Sequence, residues 1–129
     1  MNNPELEIKA IVLALTESDD AAKHKATVDK YFSKDASFVH PLCTVESGPN
    51  SREELKNIYA VYKFFTRDIH IDIQKVTIDS NCTRAVIELE ESLSASFLPF
   101  LRVKNLKIIS ILDFERVDNR FFIKRQYGT

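Results

Sequence analysis

Tyr31-Phe-Ser-Lys-Asp-Ala-Ser-Phe-Val-His-Pro41 is the stretch at which the helical half of this 129-residue chain gives way to its strands. Before it, apolar residues recur mostly at steps of three and four, a period that predicts two helices over residues 4–15 and 18–32. Within it, Pro41 ends any regular ladder of hydrogen bonds, so we expect a short strand that leaves the second helix. A third helix is predicted from Ser51 to about Thr66.

Beyond the third helix the apolar period changes to two. Isoleucines alternate with polar residues over residues 69–73, and further alternating runs cover residues 85–93, 106–114 and 121–123. Such alternation is typical of strands that bury one face. Three helices followed by a meander of strands predict a single α+β domain over residues 1–129, with the N-terminal helices packed on an antiparallel sheet.

The composition is that of a globular protein and argues against a polyanionic partner. Hydrophobic residues make up 44% of the chain and charged residues 29%, which is typical of a chain that folds around its own core. The 18 Lys and Arg residues are balanced by 19 Asp and Glu residues, so no positive field favours nucleic acid. We therefore expect no nucleic-acid partner.

The cysteines, the N-terminus and the polar strand faces indicate no special chemistry. Cys43 and Cys82 lack the spacing of a disulfide scaffold or a zinc site and are interpreted as reduced thiols. The polar N-terminus lacks the features of a signal peptide, which favours a cytoplasmic location. His70 and Asp72 share one strand face but would leave a coordination set incomplete. We expect neither a metal nor a cofactor.

The order of the elements and the stretch Tyr31–Pro41 resemble nuclear-transport-factor-like (NTF2-like) and SnoaL-like domains. More narrowly, three segments resemble the fungal SigF-like branch of that superfamily: Phe38-Val-His-Pro41, the Tyr59-x-x-Tyr62 helix and Phe97-Leu-Pro-Phe-Leu-Arg102. The resemblance covers nearly the whole chain and implies a cone in which helices cover a strongly curved sheet. The superfamily includes ketosteroid isomerase, scytalone dehydratase, limonene epoxide hydrolase, polyketide cyclases and non-enzymatic domains, so it implies a fold and not one reaction.

His40 and Glu91 are the candidate catalytic residues. His40 precedes Pro41 and resembles in position the aspartate base that ketosteroid isomerase-like sequences carry before a proline, so a general base is implied there. The alternative is a buried histidine that a backbone carbonyl satisfies. Glu91 shares parity with Leu89 and Leu93, so an unbroken strand would point its carboxylate inward. The alternative is a bulge at residues 90–92 that returns Glu91 to solvent.

A second set of residues is expected to contact a ligand. Ser110 interrupts an apolar inward face and is a candidate donor, although its hydroxyl could instead bond to a neighbouring strand. Tyr31, Tyr59 and Tyr62 are long enough to bring a hydroxyl group to the rim of the pocket. Alternatively, they are core residues whose hydroxyl groups reach solvent. The remaining candidates are apolar aromatic residues. The predicted ligand-binding set is Tyr31, Phe38, Tyr59, Tyr62, Phe97, Phe100 and Ser110.

The candidate site residues of the chain differ from those of two enzymes in the superfamily that it resembles. The oxyanion-stabilising aspartate of ketosteroid isomerase would fall close to Ser110, and its first-helix tyrosine has no counterpart in residues 11–15. Ketosteroid isomerisation is therefore disfavoured, because a dienolate would lack its strong donors. Asp113 could supply an acid–base group of the epoxide-hydrolase kind, with Arg84 or Arg102 as the cation, but its parity is opposite to that of Ser110 and predicts an outward side chain.

The inward faces consist mainly of Ile, Leu, Phe and Val, and this composition bears on function. It suits a hydrophobic small molecule of the terpenoid, polyketide or sterol type, bound or converted by a cofactor-independent isomerase, cyclase or dehydratase. The alternative is a non-catalytic ligand-binding or protein-association module, because the same residues can fill a solid core.

Two surfaces are expected to meet partners. Ile109 and Ile111 should lie exposed on the outer sheet face, so we expect a homodimer through the sheet. The segment Phe97–Leu101 contains Pro99, which cannot continue a central strand, so we expect a bend or bulge that forms a hydrophobic lip. The lip also suits peripheral contact with a membrane or lipid, because Arg102 and nearby Lys104 follow it.

Overall fold

The computed structural model describes residues 1–18, 20–41 and 43–128, and over these ranges three helices pack on a six-stranded sheet. The predicted α+β class is confirmed. The elements are α1 Pro4–Thr16, α2 Ala21–Tyr31, β1 Phe32–His40, β2 Cys43–Val45, α3 Ser51–Phe65, β3 Thr66–Ile78, β4 Arg84–Ala95, β5 Leu98–Val117 and β6 Arg120–Gly128.

Side-chain caps begin the first two helices. The side chain of Asn3 accepts a hydrogen bond from the amide of Glu5, and Pro4 occupies the first turn of α1. The carboxylate of Asp20 accepts from the amides of Ala22 and Lys23 at 3.0 and 3.2 Å, which starts α2. Both caps satisfy amides that have no partner within the helix. No helix in the described part of the chain is long and apolar enough to cross a membrane.

The sheet has the strand order β2-β1-β6-β5-β4-β3. Most neighbours are antiparallel, but β1 and β6 run parallel, so the sheet is mixed and the predicted fully antiparallel sheet is wrong at this pairing. A hairpin forces two strands to be antiparallel, whereas β1 and β6 are joined by most of the chain. Their relative direction therefore could not follow from a turn signal.

The core lies between the helices and one face of the sheet. Its largest fully buried side chains are Ile8, Val28, Phe32, Leu55, Ile87 and Ile123. The apolar pattern of α2 predicts an inner face made of Ala22, Ala26, Val28, Tyr31 and Phe32. In the structure the buried residues of the helix are His24, Thr27 and Val28, whereas Ala22 and Ala26 are exposed. The helix has few large apolar residues, so its sequence pattern determined the buried face poorly.

Turns and bulges shape the long strands. Asp118 and Asn119 both have positive φ, as the turn between two closely joined strands requires. Ser96 and Phe97 form the turn between β4 and β5. Ala95 then pairs with Leu98, but Ser94 pairs with Arg102, so residues 99–101 bulge from the ladder. A proline in this segment offers no amide hydrogen to the ladder, which is consistent with the bulge.

Candidate functional site

A cavity of about 410 Å³ lies between α1, α3 and one face of the sheet. Most of its wall is apolar and includes Ile11 and Leu15 of α1, Ile58 of α3, and Ile108 and Leu112 of β5. The side chains in the wall that carry a polar atom or a thiol are Thr16, His40, Cys43, Tyr59, Tyr62, Glu91, Ser110 and Gln126. The cavity therefore combines a large apolar surface with a small set of groups that can form hydrogen bonds.

Glu91 is the buried acid of this cavity, with 6% of its surface exposed. It pairs with Ile71 of β3 and Leu106 of β5, and its side chain points inward. The ladder is irregular beside it, but the extra residue falls on β5, where the amide of Asn105 donates to the hydroxyl of Ser92 at 3.1 Å. Because the bulge lies on the partner strand, it does not turn Glu91 towards solvent.

Tyr62 of α3 donates a hydrogen bond from its hydroxyl to Oε2 of Glu91. Burial raises the pKa of the Glu91 carboxyl, and the bond from Tyr62 and the charge of Lys63 only partly oppose this effect. Burial also raises the pKa of Tyr62, and the negative charge of Glu91 raises it further. Tyr62 therefore stays protonated and acts as a hydrogen-bond donor, while the proton affinity of Glu91 is increased.

Tyr59 and Gln126 form a second polar pair in the wall. The Tyr59 hydroxyl donates to Oε1 of Gln126 at 2.8 Å, and burial raises the pKa of Tyr59 to about 12. Sequence reasoning missed Gln126, because simple alternation after Ile123 turns it outward. In the structure Ile123 pairs with Phe114 but Gln126 pairs with Leu112, so β6 carries one extra residue. The adjacent charged residues Lys124 and Arg125 break the alternation and were the available signal of this bulge.

His40 lies at the end of β1 and lines the cavity. Its ring stacks on that of Phe38, with centroids 6.0 Å apart and planes 9° apart. Phe38 also meets Tyr59 edge to face at 6.3 Å and lines the cavity. His40 and Glu91 thus share one cavity, and the catalytic roles assigned to them from the sequence stay predictions.

Ser110 lines the cavity from β5, where it pairs with Ile87 on one side and Gly128 on the other. The approach of Gly128 is close, because a Cβ built on it would lie 2.5 Å from the carbonyl oxygen of Ile109 and 3.2 Å from the Cα of Ser110. The glycine therefore allows β6 to reach the end of the cavity. The proposed contact of Ser110 with a ligand stays a prediction.

Three residues of the predicted ligand-binding set lie outside the wall of this cavity, as the described residues define it. Tyr31 ends α2, and the ammonium group of Lys30 lies 5.1 Å from its ring centroid. Phe97 and Phe100 are 65% and 86% exposed, because the β4–β5 turn and its bulge carry them away from the sheet face. The interpretation of these three as contacts in the cavity has no support from their positions. Asp113 lies on the outer face, where Arg84 Nε donates to it at 2.7 Å.

Comparison with known structures shows the same fold at low sequence identity. A SnoaL-like family protein from Agrobacterium tumefaciens is 15% identical, with a TM-score of 0.66 over 95% of this chain and 93% of that one. A ketosteroid isomerase-like protein from Erwinia carotovora atroseptica is 12% identical, with a TM-score of 0.65 over 99% and 96%. A limonene-epoxide-hydrolase-like (LEH-like) epoxide hydrolase from M. tuberculosis is 14% identical, with a TM-score of 0.60 over 93% and 80%.

These structures support the predicted fold, and a family model that matches the sequence identifies the family. No curated protein matches the chain significantly. The family model of the SigF NTF2-like domain, however, matches residues 1–128, almost the full length of the chain. The chain therefore belongs to the SigF NTF2-like domain family.

Proposed function

We propose that this domain binds a hydrophobic small molecule in the cavity and holds its polar group at the Tyr62–Glu91 pair. The observation that carries the proposal is a buried carboxyl group in the wall of a largely apolar cavity. Ligand pockets commonly measure roughly 300–1,000 Å³ and contain a few polar groups that orient the guest. The volume of about 410 Å³ suits a guest of the terpenoid, polyketide or sterol-like type.

The Tyr62–Glu91 pair has the chemistry to select one polar group of such a guest. A protonated Glu91 donates a hydrogen bond to a carbonyl or ether oxygen, and an ionised Glu91 accepts one from a hydroxyl. Tyr62 already donates to one carboxylate oxygen, so the other oxygen is the natural contact for the guest. A guest with no polar atom near Glu91 would leave a buried carboxyl poorly satisfied, which disfavours a pure hydrocarbon.

A second candidate function is proton-transfer catalysis without a cofactor, as in an isomerase, cyclase or dehydratase. It is favoured by the raised pKa of Glu91, since a general acid or base works best when its pKa lies near the operating pH. In an isomerisation the Glu91 carboxylate would take a proton from one carbon of the guest and return it to another. Neither step requires a metal or an external redox partner.

Two adjacent isoleucines on opposite faces of β5 give a matched test of binding. Ile108 lines the cavity, whereas Ile109 is exposed on the outer face. We expect the wild type to take up a fluorescent apolar probe and Ile108→Trp to lose that uptake, while Ile109→Trp retains it. Equal uptake by both variants would show that the probe binds elsewhere, and a wild type that takes up neither the probe nor any guest from a terpenoid and sterol library would refute the proposal.

A further inference from the structure

An exposed aromatic patch lies at the end of the molecule where α3 and the β4–β5 turn meet. It consists of Phe64, Phe65, Phe97, Phe100 and Leu101, which we call the aromatic tip. Phe65 meets Phe64 at 5.1 Å and Phe97 at 6.1 Å between ring centroids, each edge to face. The amide of Ser96 donates to the carbonyl of Phe65 at 3.0 Å, so the backbone joins the two segments. These contacts join Phe64, Phe65 and Phe97 into one surface, and Phe100 and Leu101 follow in the adjoining bulge of β5.

The side chains of the aromatic tip are unusually exposed for their type. Phe64 is 74% and Phe100 86% exposed, and Phe97 and Leu101 also face solvent. Isolated apolar residues are common on protein surfaces, whereas a contiguous set of aromatic residues marks an interaction site. These phenylalanines therefore do not serve as ordinary core residues.

The two segments that form the aromatic tip are rich in basic residues. The segments 61–68 and 94–107 contain five basic residues and one acidic residue, Asp68, for a net charge of +4. The whole chain carries a net charge of −1, so the rest of it carries −5. The basic residues of these segments are Lys63, Arg67, Arg102, Lys104 and Lys107. Of these, Arg67, Arg102 and Lys104 are exposed, and each lies within three residues of a tip residue in the sequence.

The aromatic tip is close to the cavity along α3. Val61 lines the cavity and is itself exposed, so the cavity reaches the surface beside it. Phe64 and Phe65 follow Val61 by three and four residues, which places them about one helical turn further along the same side of α3. The rim of the cavity at Val61 therefore lies about one helical turn from the tip.

We propose that the aromatic tip docks on the surface of an anionic lipid bilayer. Phenylalanine and leucine side chains insert at the boundary between headgroups and acyl chains, while basic residues beside them contact lipid phosphates and carboxylates. The two contributions act together, because neither a few apolar side chains nor a few cations alone anchor a protein stably. The negative remainder of the chain orients the molecule with its tip towards the bilayer. This inference does not depend on the proposed ligand.

Vesicle sedimentation tests the proposal directly. We expect the wild type to pellet with phosphatidylcholine vesicles that contain about one third phosphatidylserine, to bind pure phosphatidylcholine roughly tenfold more weakly, and to be released by high salt. Phe97→Ser with Phe100→Ser should reduce binding to both vesicles. Arg102→Glu with Lys104→Glu should abolish the preference for phosphatidylserine and its dependence on salt.

Matched controls use exposed residues far from the aromatic tip. Leu6 of α1 is 79% exposed, so Leu6→Ser removes an apolar side chain elsewhere, and Lys9→Glu with Lys30→Glu reverses two exposed charges elsewhere. Both controls should bind like the wild type, and circular dichroism should show all variants folded. A wild type that does not pellet with the anionic vesicles would overturn the proposal, as would tip variants that bind like the controls. Loss of self-association in the tip variants, without vesicle binding, would instead identify the tip as a contact between copies of the chain.

Discussion

The hydroxyl of Tyr62 on α3 donates a hydrogen bond to the carboxylate of Glu91 on β4, and this bond joins the helical layer to the sheet across the cavity wall. Both groups are largely buried, so the free energy of the bond is coupled to the protonation state of Glu91. Stability and ligand binding should consequently both depend on the protonation state of Glu91.

The raised pKa of Glu91 predicts a loss of stability as pH rises. The folded state binds this proton more tightly than the unfolded state, whose pKa is near the ordinary value of 4.5. The contribution of Glu91 is therefore fully present below pH 4.5 and is lost as the pH rises through the raised value of the folded state. Glu91→Gln should remove this part of the pH dependence, as measured by urea unfolding at a series of pH values.

The neighbouring residue on β4 provides the control for that measurement. Glu90 has the opposite parity and pairs with Asp72 and Lys107, away from the cavity. Glu90→Gln should leave the loss of stability above pH 4.5 as it is in the wild type. If Glu91→Gln and Glu90→Gln give the same pH profile as the wild type, Glu91 does not titrate differently on folding.

Removal of single hydroxyl groups should distinguish the contributions of the two polar pairs of the cavity to stability. Tyr62→Phe leaves a buried carboxylate without its donor and should lower the free energy of unfolding at neutral pH by about 1–3 kcal/mol. Tyr59→Phe leaves the neutral amide of Gln126 without its donor and should cost about 1 kcal/mol. The cost of Tyr62→Phe should shrink at acidic pH, where Glu91 is protonated, whereas that of Tyr59→Phe should not change. Parallel pH profiles for the two variants would contradict the assigned role of Tyr62.

Local periodicity predicted the elements of this fold but not every pairing between them. The three helices and the main strands follow from the change of period after α3, because each period reflects one buried face. The parallel contact of β1 with β6 joins distant parts of the chain and has no local signal. In α2 the pattern pointed to Ala22 and Ala26, whereas His24 is buried and meets Tyr59 edge to face at 6.0 Å.

The same limit applies to the candidate site. Parity placed Glu91 and Ser110 on the inward face, because both lie on long strands whose apolar neighbours define that face. Gln126 was missed because a bulge on β6 shifts parity by one residue. Phe97 and Phe100 were grouped with the ligand contacts because an apolar composition alone cannot separate a cavity wall from an exposed tip.

The outer face of β5 is expected to form a homodimer contact. Ile109 is 46% exposed and Ile111 is partly buried, and neither lines the cavity as the described residues define it. Ile109→Lys with Ile111→Lys should yield a monomer in sedimentation at micromolar concentration, because two desolvated charges would oppose association. Lys9→Glu with Lys23→Glu on the helices should leave the dimer intact. A wild type that sediments as a clean monomer would rule this contact out.

The two glycines of the chain provide a last test, because only one of them lies against another strand. A Cβ on Gly128 would lie 2.5 Å from the backbone oxygen of Ile109, and backbone cannot swing aside as a flexible side chain can. Gly128→Ala should therefore push β6 from β5 and lower the free energy of unfolding by about 1–3 kcal/mol. A Cβ on Gly48 meets nothing within 4 Å, so Gly48→Ala should change the free energy of unfolding by less than about 0.5 kcal/mol.

Displacement of β6 in the Gly128→Ala variant should also weaken the Tyr59–Gln126 hydrogen bond. Amide exchange should therefore speed up from Gln126 to Gly128 in this variant and not in Gly48→Ala. If both variants unfold like the wild type, the end of β6 does not pack on Ile109 and Ser110, and the cavity lacks that part of its wall.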